Sequence, residues 1–106
     1  MSKRTYRSVL VNSLVGSELE ARFRGRKLVI GLDIAKIDLK AAIFDRSEGV
    51  VMSTWAWKAP DETRAFVGHV VSLCRVAHVE VALEPTGTYG DVLKALLIAA
   101  GVPVYR

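Results

Sequence analysis

Residues 28–36 (LVIGLDIAK) constrain the fold more than any other part of the chain, because an apolar run there ends on the carboxylate of Asp33. A continuous run of this kind is typical of a strand that is buried on both faces of a sheet. Residues 37–45 (IDLKAAIFD) resume strand character at once, which predicts an antiparallel hairpin. Since a buried carboxylate without a partner is costly, we expect Asp33 to end the strand at a cleft and to meet a cation.

The rest of the chain alternates between strand and helix patterns. Residues 50–57 predict a third strand, and residues 60–74 predict a helix whose buried stripe is Phe66, Val67, Val70, Val71 and Cys74. Residues 78–84 predict a fourth strand that ends on Glu84, before a helix that Gly101 stops and a fifth strand from residue 102. The order β-β-β-α-β-α-β predicts an α/β fold with a five-stranded mixed sheet of ribonuclease H-like type and flanking helices.

Composition limits the class of protein. The chain has 106 residues, of which 51% are hydrophobic and 25% charged, and this indicates one soluble domain with a modest core. No apolar run approaches the roughly 20 residues of a membrane-spanning helix, so we expect no membrane association. Cys74 is the single cysteine, which excludes an internal disulfide and favours a reducing cytoplasm.

Charge is concentrated at the N-terminal side. Residues 1–27 hold seven Lys and Arg against two Glu, whereas residues 28–106 hold eight against nine Asp and Glu. We therefore divide the chain into a basic helical arm, residues 1–26, and a globular domain, residues 27–106. Such an arm commonly meets a polyanion, and the predicted nucleic-acid contacts are Arg22, Arg24, Arg26 and Lys27. Two other interpretations stay open: a solvated helix with a disordered start, and a docking helix that buries Leu10, Leu14 and Leu19 against another copy.

Asp33 and Glu84 form the predicted catalytic and metal-binding pair. A right-handed crossover returns the fourth strand beside the first and parallel to it, which brings both acids to the same edge of the sheet. Two carboxylates that close repel unless a cation bridges them, and Mg²⁺ or Mn²⁺ is the oxygen-seeking ion for that role. Such ions activate the attacking oxygen and stabilise the leaving oxygen in phosphoryl transfer. The alternative is that both acids are ordinary polar strand ends.

Three motifs together resemble the N-terminal domain of the DEDD insertion-sequence transposases, the family of the pilin-gene invertase and the bridge-RNA-guided recombinases. They are residues 31–36 (GLDIAK), 84–89 (EPTGTY) and 99–104 (AAGVPV), and the resemblance covers residues 27–106. It implies a RuvC-like domain whose four acids, in the order Asp, Glu, Asp, Asp, bind divalent metal. Asp33 matches the first acid and Glu84 the second.

The same resemblance implies further site residues and partners. Lys36 matches the lysine after the first acid, and Thr86, Gly87 and Tyr89 match the motif after the second, as nucleic-acid contacts. The implied function is metal-dependent DNA strand cleavage and transfer in a bacterial cytoplasm, with DNA, a guide RNA and further copies of the chain as partners. The third and fourth acids and a second domain with a serine nucleophile are expected beyond residue 106. The 106 residues alone are therefore expected to be inactive.

Two other functions stay open. The sugar-kinase and actin superfamily has a similar first strand, but its phosphate loop needs Gly and Ser or Thr where this chain has Ala35 and Lys36. The other is a catalytically inactive nucleic-acid-binding or dimerisation module with the same fold.

Two smaller sets of residues have competing interpretations. Trp55 and Trp57 share one strand face and could stack nucleobases, but the pattern favours packing under a helix. His69, Cys74 and His78 invite a zinc interpretation. Because His69 and Cys74 diverge by about 140° around a helix, we predict no zinc site.

Overall fold

The computed structural model describes residues 8–83 and 90–105, and six strands in these ranges form one mixed sheet. The strands are β1 (Val9–Leu10), β2 (Lys27–Ile34), β3 (Asp38–Asp45), β4 (Val50–Lys58), β5 (His78–Leu83) and β6 (Val104–Tyr105). The helices are α1 (Gly16–Phe23), α2 (Thr63–Cys74) and α3 (Asp91–Ala99), and a 3-10 turn spans Val11–Ser13.

The strand order is β1-β4-β3-β2-β5-β6. The pairs β2–β3 and β3–β4 are antiparallel, whereas β2–β5 and β5–β6 are parallel, so the hairpin and the crossover that the sequence predicts are both confirmed. The prediction of five strands is wrong, because the short β1 adds a sixth strand parallel to β4. A two-residue strand carries no sequence periodicity of its own, and only its long-range pairing makes it a strand.

The described helices lie on one face of the sheet. Trp57 stacks on Phe66 of α2 at 4.0 Å between ring centroids, and α1 packs against α2. Gly90, directly before α3, lies beside Ile34 and Leu83. The predicted packing of both tryptophans under a helix is confirmed, since Trp55 is 0% exposed and Trp57 2%.

No described helix covers the opposite face of the sheet, which we call the open face. β2 alternates between buried residues, which face the helices, and half-buried or exposed residues such as Val29, Gly31 and Asp33. The expectation that this strand is buried on both faces is therefore wrong. Val29 and Gly31 are apolar or small although they lie on the open face, so the sequence hides the alternation.

Residues 8–26 contribute to the core. Val11, Leu19 and Phe23 are buried in the same cluster as the sheet residues, and the ring of Phe23 is fully enclosed. Leu10 is 64% exposed and Leu14 is half-buried. The basic segment thus lies against the sheet and α2, and its apolar side chains do not form one free stripe.

The last helical turns show one further difference from the sequence interpretation. The sequence predicts Cys74 in the buried stripe of α2, but Cys74 is exposed and Leu73 is the buried residue. Gly25 and Gly101 have φ of +77° and +81°, the left-handed conformation that follows helix ends and that glycine adopts without strain.

Within residues 8–83 and 90–105, no helix is long and apolar enough to cross a membrane.

Candidate metal and nucleic-acid site

Asp33 is the penultimate residue of β2, and it is exposed on the open face near the strand's C-terminal end. Its neighbour on β3 is Lys40, because the antiparallel register pairs the two residues directly. The predicted position of Asp33 at a strand end is therefore observed. Lys40 is the nearest cation in register, although no salt bridge in the described ranges includes Asp33.

Glu84 and three other predicted site residues, Thr86, Gly87 and Tyr89, lie outside the described residues. The parallel register of β2 and β5 runs as far as the pair Leu32 and Leu83. Asp33 follows Leu32 in the sequence, and Glu84 follows Leu83. The two strands that carry the predicted acids are thus adjacent, parallel and in step up to the residue before each acid.

Lys36 lines a groove beside this strand end. The groove has a volume of about 380 Å³, and it lies between the β2–β3 connection, the start of α2 and α3. Its lining is mainly apolar, with Leu39, Leu93 and Leu96 among the side chains, and Lys36 and Arg64 are its two cations. An apolar groove with two cations can hold an anionic ligand that also has an apolar part.

The described part of the chain contains only one of the two predicted metal ligands, Asp33. Within residues 8–83 and 90–105, no three His, Cys, Asp or Glu side chains come together as a metal-binding group. The Asp33 carboxylate is nevertheless an oxygen ligand of the kind that Mg²⁺ and Mn²⁺ prefer. One exposed carboxylate leaves the remaining positions to water and to residues outside the described ranges.

The four cations predicted on the basic arm do not share one helix face. α1 ends at Phe23, and Arg22 lies over that ring and donates a hydrogen bond to the carbonyl of Met52. Arg26 pairs with Asp45 at 2.8 Å and with Glu48 at 3.3 Å. Arg24 and Lys27 are exposed.

Arg26 is therefore held in an ion pair at the end of the hairpin where β2 begins and β3 ends. Asp45 is buried, with 1% of its surface exposed, and it also accepts hydrogen bonds from the backbone N–H groups of Ser47 and Glu48. The hydrogen bond from Arg26, together with that from the Glu48 amide, lowers the pKa of the Asp45 carboxyl below its ordinary value.

Sequence reasoning missed three basic residues beside Lys27. His78 pairs with Lys27 in register, and the backbone N–H of Arg46 donates to the Lys27 carbonyl at 2.9 Å. Arg75 precedes β5 in the turn next to them. These residues are about 20 to 50 positions from Lys27 in the sequence, so only the strand pairing brings them together.

The three residues of the rejected zinc interpretation have separate surroundings. His69 Nε2 forms a hydrogen bond with the carbonyl oxygen of Val11 at 3.0 Å, and His78 lies 3.4 Å from Glu80. Cys74 is exposed at the end of α2, where partial burial of the thiol raises its pKa.

Comparisons of the chain with protein-family models and with curated proteins found no match.

Proposed function

We propose that this chain is the N-terminal part of a DNA transposase or site-specific recombinase with a ribonuclease H-like domain. In this proposal Asp33 and Glu84 hold a divalent metal ion at the C-terminal ends of β2 and β5. The ion, when bound, activates the oxygen that attacks a DNA phosphodiester and stabilises the oxygen that leaves. Lys36, with Thr86, Gly87 and Tyr89, would contact the nucleic acid beside it.

The fold supports this proposal through its topology. A β-hairpin and a third antiparallel strand are followed by two parallel crossovers, and the five strands β4-β3-β2-β5-β6 have the order expected for a ribonuclease H-like sheet. Ligands of open sheets with parallel strands bind at the C-terminal ends of those strands. Asp33 lies at such an end, on a central strand.

One observation carries the proposal. The register places Leu32 of β2 beside Leu83 of β5. The exposed Asp33 follows Leu32 in the sequence, as Glu84 follows Leu83. Neighbouring positions on adjacent strands are about 4.8 Å apart in the backbone. Two carboxylates at such positions would supply oxygen ligands of the kind that Mg²⁺ and Mn²⁺ prefer.

A Mn²⁺ titration tests the metal site without requiring activity. Paramagnetic broadening of backbone amide signals is expected to be greatest around residues 32–34, and the Asp33→Asn variant should lose it. Asp38→Asn is the matched control, because Asp38 is also an exposed carboxylate on the β2–β3 hairpin. Equal broadening in the wild-type chain and in Asp33→Asn would contradict the proposal.

Strand cleavage tests the reaction itself. On the complete gene product, a DNA substrate should be cut only with Mg²⁺ or Mn²⁺, and Asp33→Asn should abolish cutting. Metal binding without any cleavage would favour an inactive module of the same fold. ATP binding would instead favour the sugar-kinase alternative, although the connection between β2 and β3, residues 35–37, contains no glycine for close approach to phosphate.

A further inference from the structure

Cations gather at the end of the sheet that is opposite to Asp33, where β2 and β5 begin and β3 ends. We call this surface the basic end and define it by residues 24–27, 45–49 and 75–80. These segments hold five Lys and Arg against three Asp and Glu, a net charge of +2, whereas the other described residues hold six against seven. The basic end therefore carries a net positive charge that the other described residues, with a net charge of −1, do not share.

Backbone hydrogen bonds fix the three segments of the basic end against each other. The N–H of Gly25 donates to the carbonyl of Val76 at 2.8 Å, and the N–H of His78 donates to the carbonyl of Arg26 at 2.9 Å. On the other side, Arg46 donates to the carbonyl of Lys27 at 2.9 Å. The cations consequently lie on a rigid framework of paired strand ends, and binding there would cost little backbone entropy.

Not every cation of the basic end is available. Arg26 forms ion pairs with Asp45 and Glu48, and Arg46 Nη1 lies 3.5 Å from Glu80 Oε2. In the described part of the chain, no ion pair includes Arg24, Lys27 or Arg75, and all three are exposed. Three cations are thus free to meet an external anion.

A groove of about 490 Å³ lies among these strand ends and is lined by Lys27, Arg46, Ser47 and His78. His78 pairs with Lys27 in register, and the backbone N–H of Arg46 donates to the Lys27 carbonyl, so these three residues occupy neighbouring backbone positions along the groove. The guanidinium groups of Arg24 and Arg75 and the ammonium group of Lys27 suit a polymer with repeated phosphates, because each phosphate accepts several charge-assisted hydrogen bonds.

We infer that the basic end binds the phosphate backbone of a nucleic acid, with Arg24, Lys27 and Arg75 as its principal contacts. The choice of nucleic acid over another polyanion rests on the proposed function, whereas the anion-binding surface itself does not. Binding is independent of base sequence, since the contacts go to phosphates. It holds the polymer at the opposite end of β2 from Asp33, about 20 Å away for six residues of strand.

Fluorescence anisotropy with a labelled DNA duplex of about 20 base pairs tests the inference, in EDTA and between about 50 and 200 mM salt. We expect log K to fall with log salt with a slope of about −2 to −3, for three phosphate contacts. Lys27→Ala and Arg75→Ala should each reduce the magnitude of the slope by about 1. Because both side chains are exposed, unchanged thermal melting will show that the variants fold.

Lys40→Ala is the matched control, since Lys40 is also an exposed strand lysine that no ion pair of the described ranges includes, but it lies at the opposite end of the sheet. An equal loss of slope in Lys27→Ala and Lys40→Ala would mean that only net charge matters, and it would overturn the inference. Unchanged slopes in Lys27→Ala and Arg75→Ala would overturn it as well, and would assign binding to other cations.

Competition distinguishes nucleic acid from an acidic protein surface. Polyglutamate should displace the duplex poorly at equal total charge, and displacement as efficient as that by unlabelled duplex would overturn the assignment to nucleic acid. Because EDTA removes divalent metal, failure of the metal site at Asp33 leaves this measurement unaffected, and the two proposals fail separately.

Discussion

Arg26 and Asp45 form an ion pair, 2.8 Å between Nη1 and Oδ2, that joins the segment before β2 to the end of β3. The backbone N–H groups of Ser47 and Glu48 also donate hydrogen bonds to Asp45 Oδ1. The pair therefore fixes the turn after β3 and the entry of β2 in one hydrogen-bonded unit. Arg26 is engaged in this unit. Of the four residues predicted to contact nucleic acid, Arg24 and Lys27 therefore remain available.

Asp45→Asn should destabilise the protein at neutral pH and have much less effect in acid. The folded-state pKa of Asp45 is lowered, so its contribution to stability is fully present above the ordinary carboxyl pKa of 3.8 and is lost as the pH falls through the folded value. Urea unfolding of the wild-type chain and of the variant at pH 7 and near pH 3 measures the difference.

Asp38→Asn is the control for this pH dependence. Asp38 pairs with Lys58 at 3.0 Å, but both side chains are more than 70% exposed, and such pairs contribute little to stability. If Asp38→Asn and Asp45→Asn destabilised the chain equally at pH 7, burial of the Arg26–Asp45 pair would have no special importance.

Phe23→Ala should lower the free energy of unfolding by about 3 to 5 kcal/mol, as expected for removal of a fully buried aromatic ring. Phe23 is 0% exposed although it belongs to the segment that the sequence assigns to a basic arm. Val15→Ala, in the same segment but 48% exposed, should change stability by less than about 0.5 kcal/mol. A small effect of both substitutions would mean that residues 8–26 do not share the core.

Cys74 should react with iodoacetamide in the folded protein, because it is exposed. Partial burial of the thiol raises its pKa above the ordinary value of 9.0, so the rate should still increase with pH above 9. The same chain in urea supplies the reference rate for an unshielded thiol. A folded-state rate equal to that reference at pH 8 would contradict the raised pKa.

The sequence predicts those parts of the fold that depend on local pattern and chain order. The β2–β3 hairpin and the return of β5 beside β2 follow from two strand-like runs and a helical crossover, and both are observed. Trp55 and Trp57 are buried under α2 as predicted, since large aromatic side chains at alternate strand positions favour one face.

The features that the sequence did not reveal depend on long-range contacts. β1 exists because Val9 and Leu10 reach β4, and the basic end exists because strand pairing unites residues from three distant segments. At the end of α2 the sequence predicts that Cys74 is buried, whereas Leu73 is the buried residue. Both residues are apolar, and only the rotation of the helix against the sheet decides between them.

Gly31→Ala should stabilise the isolated chain by about 0.4 to 1 kcal/mol, because alanine restricts the unfolded chain without strain at this position. Gly31 is in the middle of β2, its φ is not positive, and a Cβ built on it meets no atom within 4 Å. Gly101→Ala is the opposite case, since its φ of +81° should cost about 1 to 2 kcal/mol. Urea unfolding of both variants measures the two changes. If Gly31→Ala were destabilising in the monomer, the face of β2 that carries Asp33 would be covered, and the open sheet face described above would be wrong.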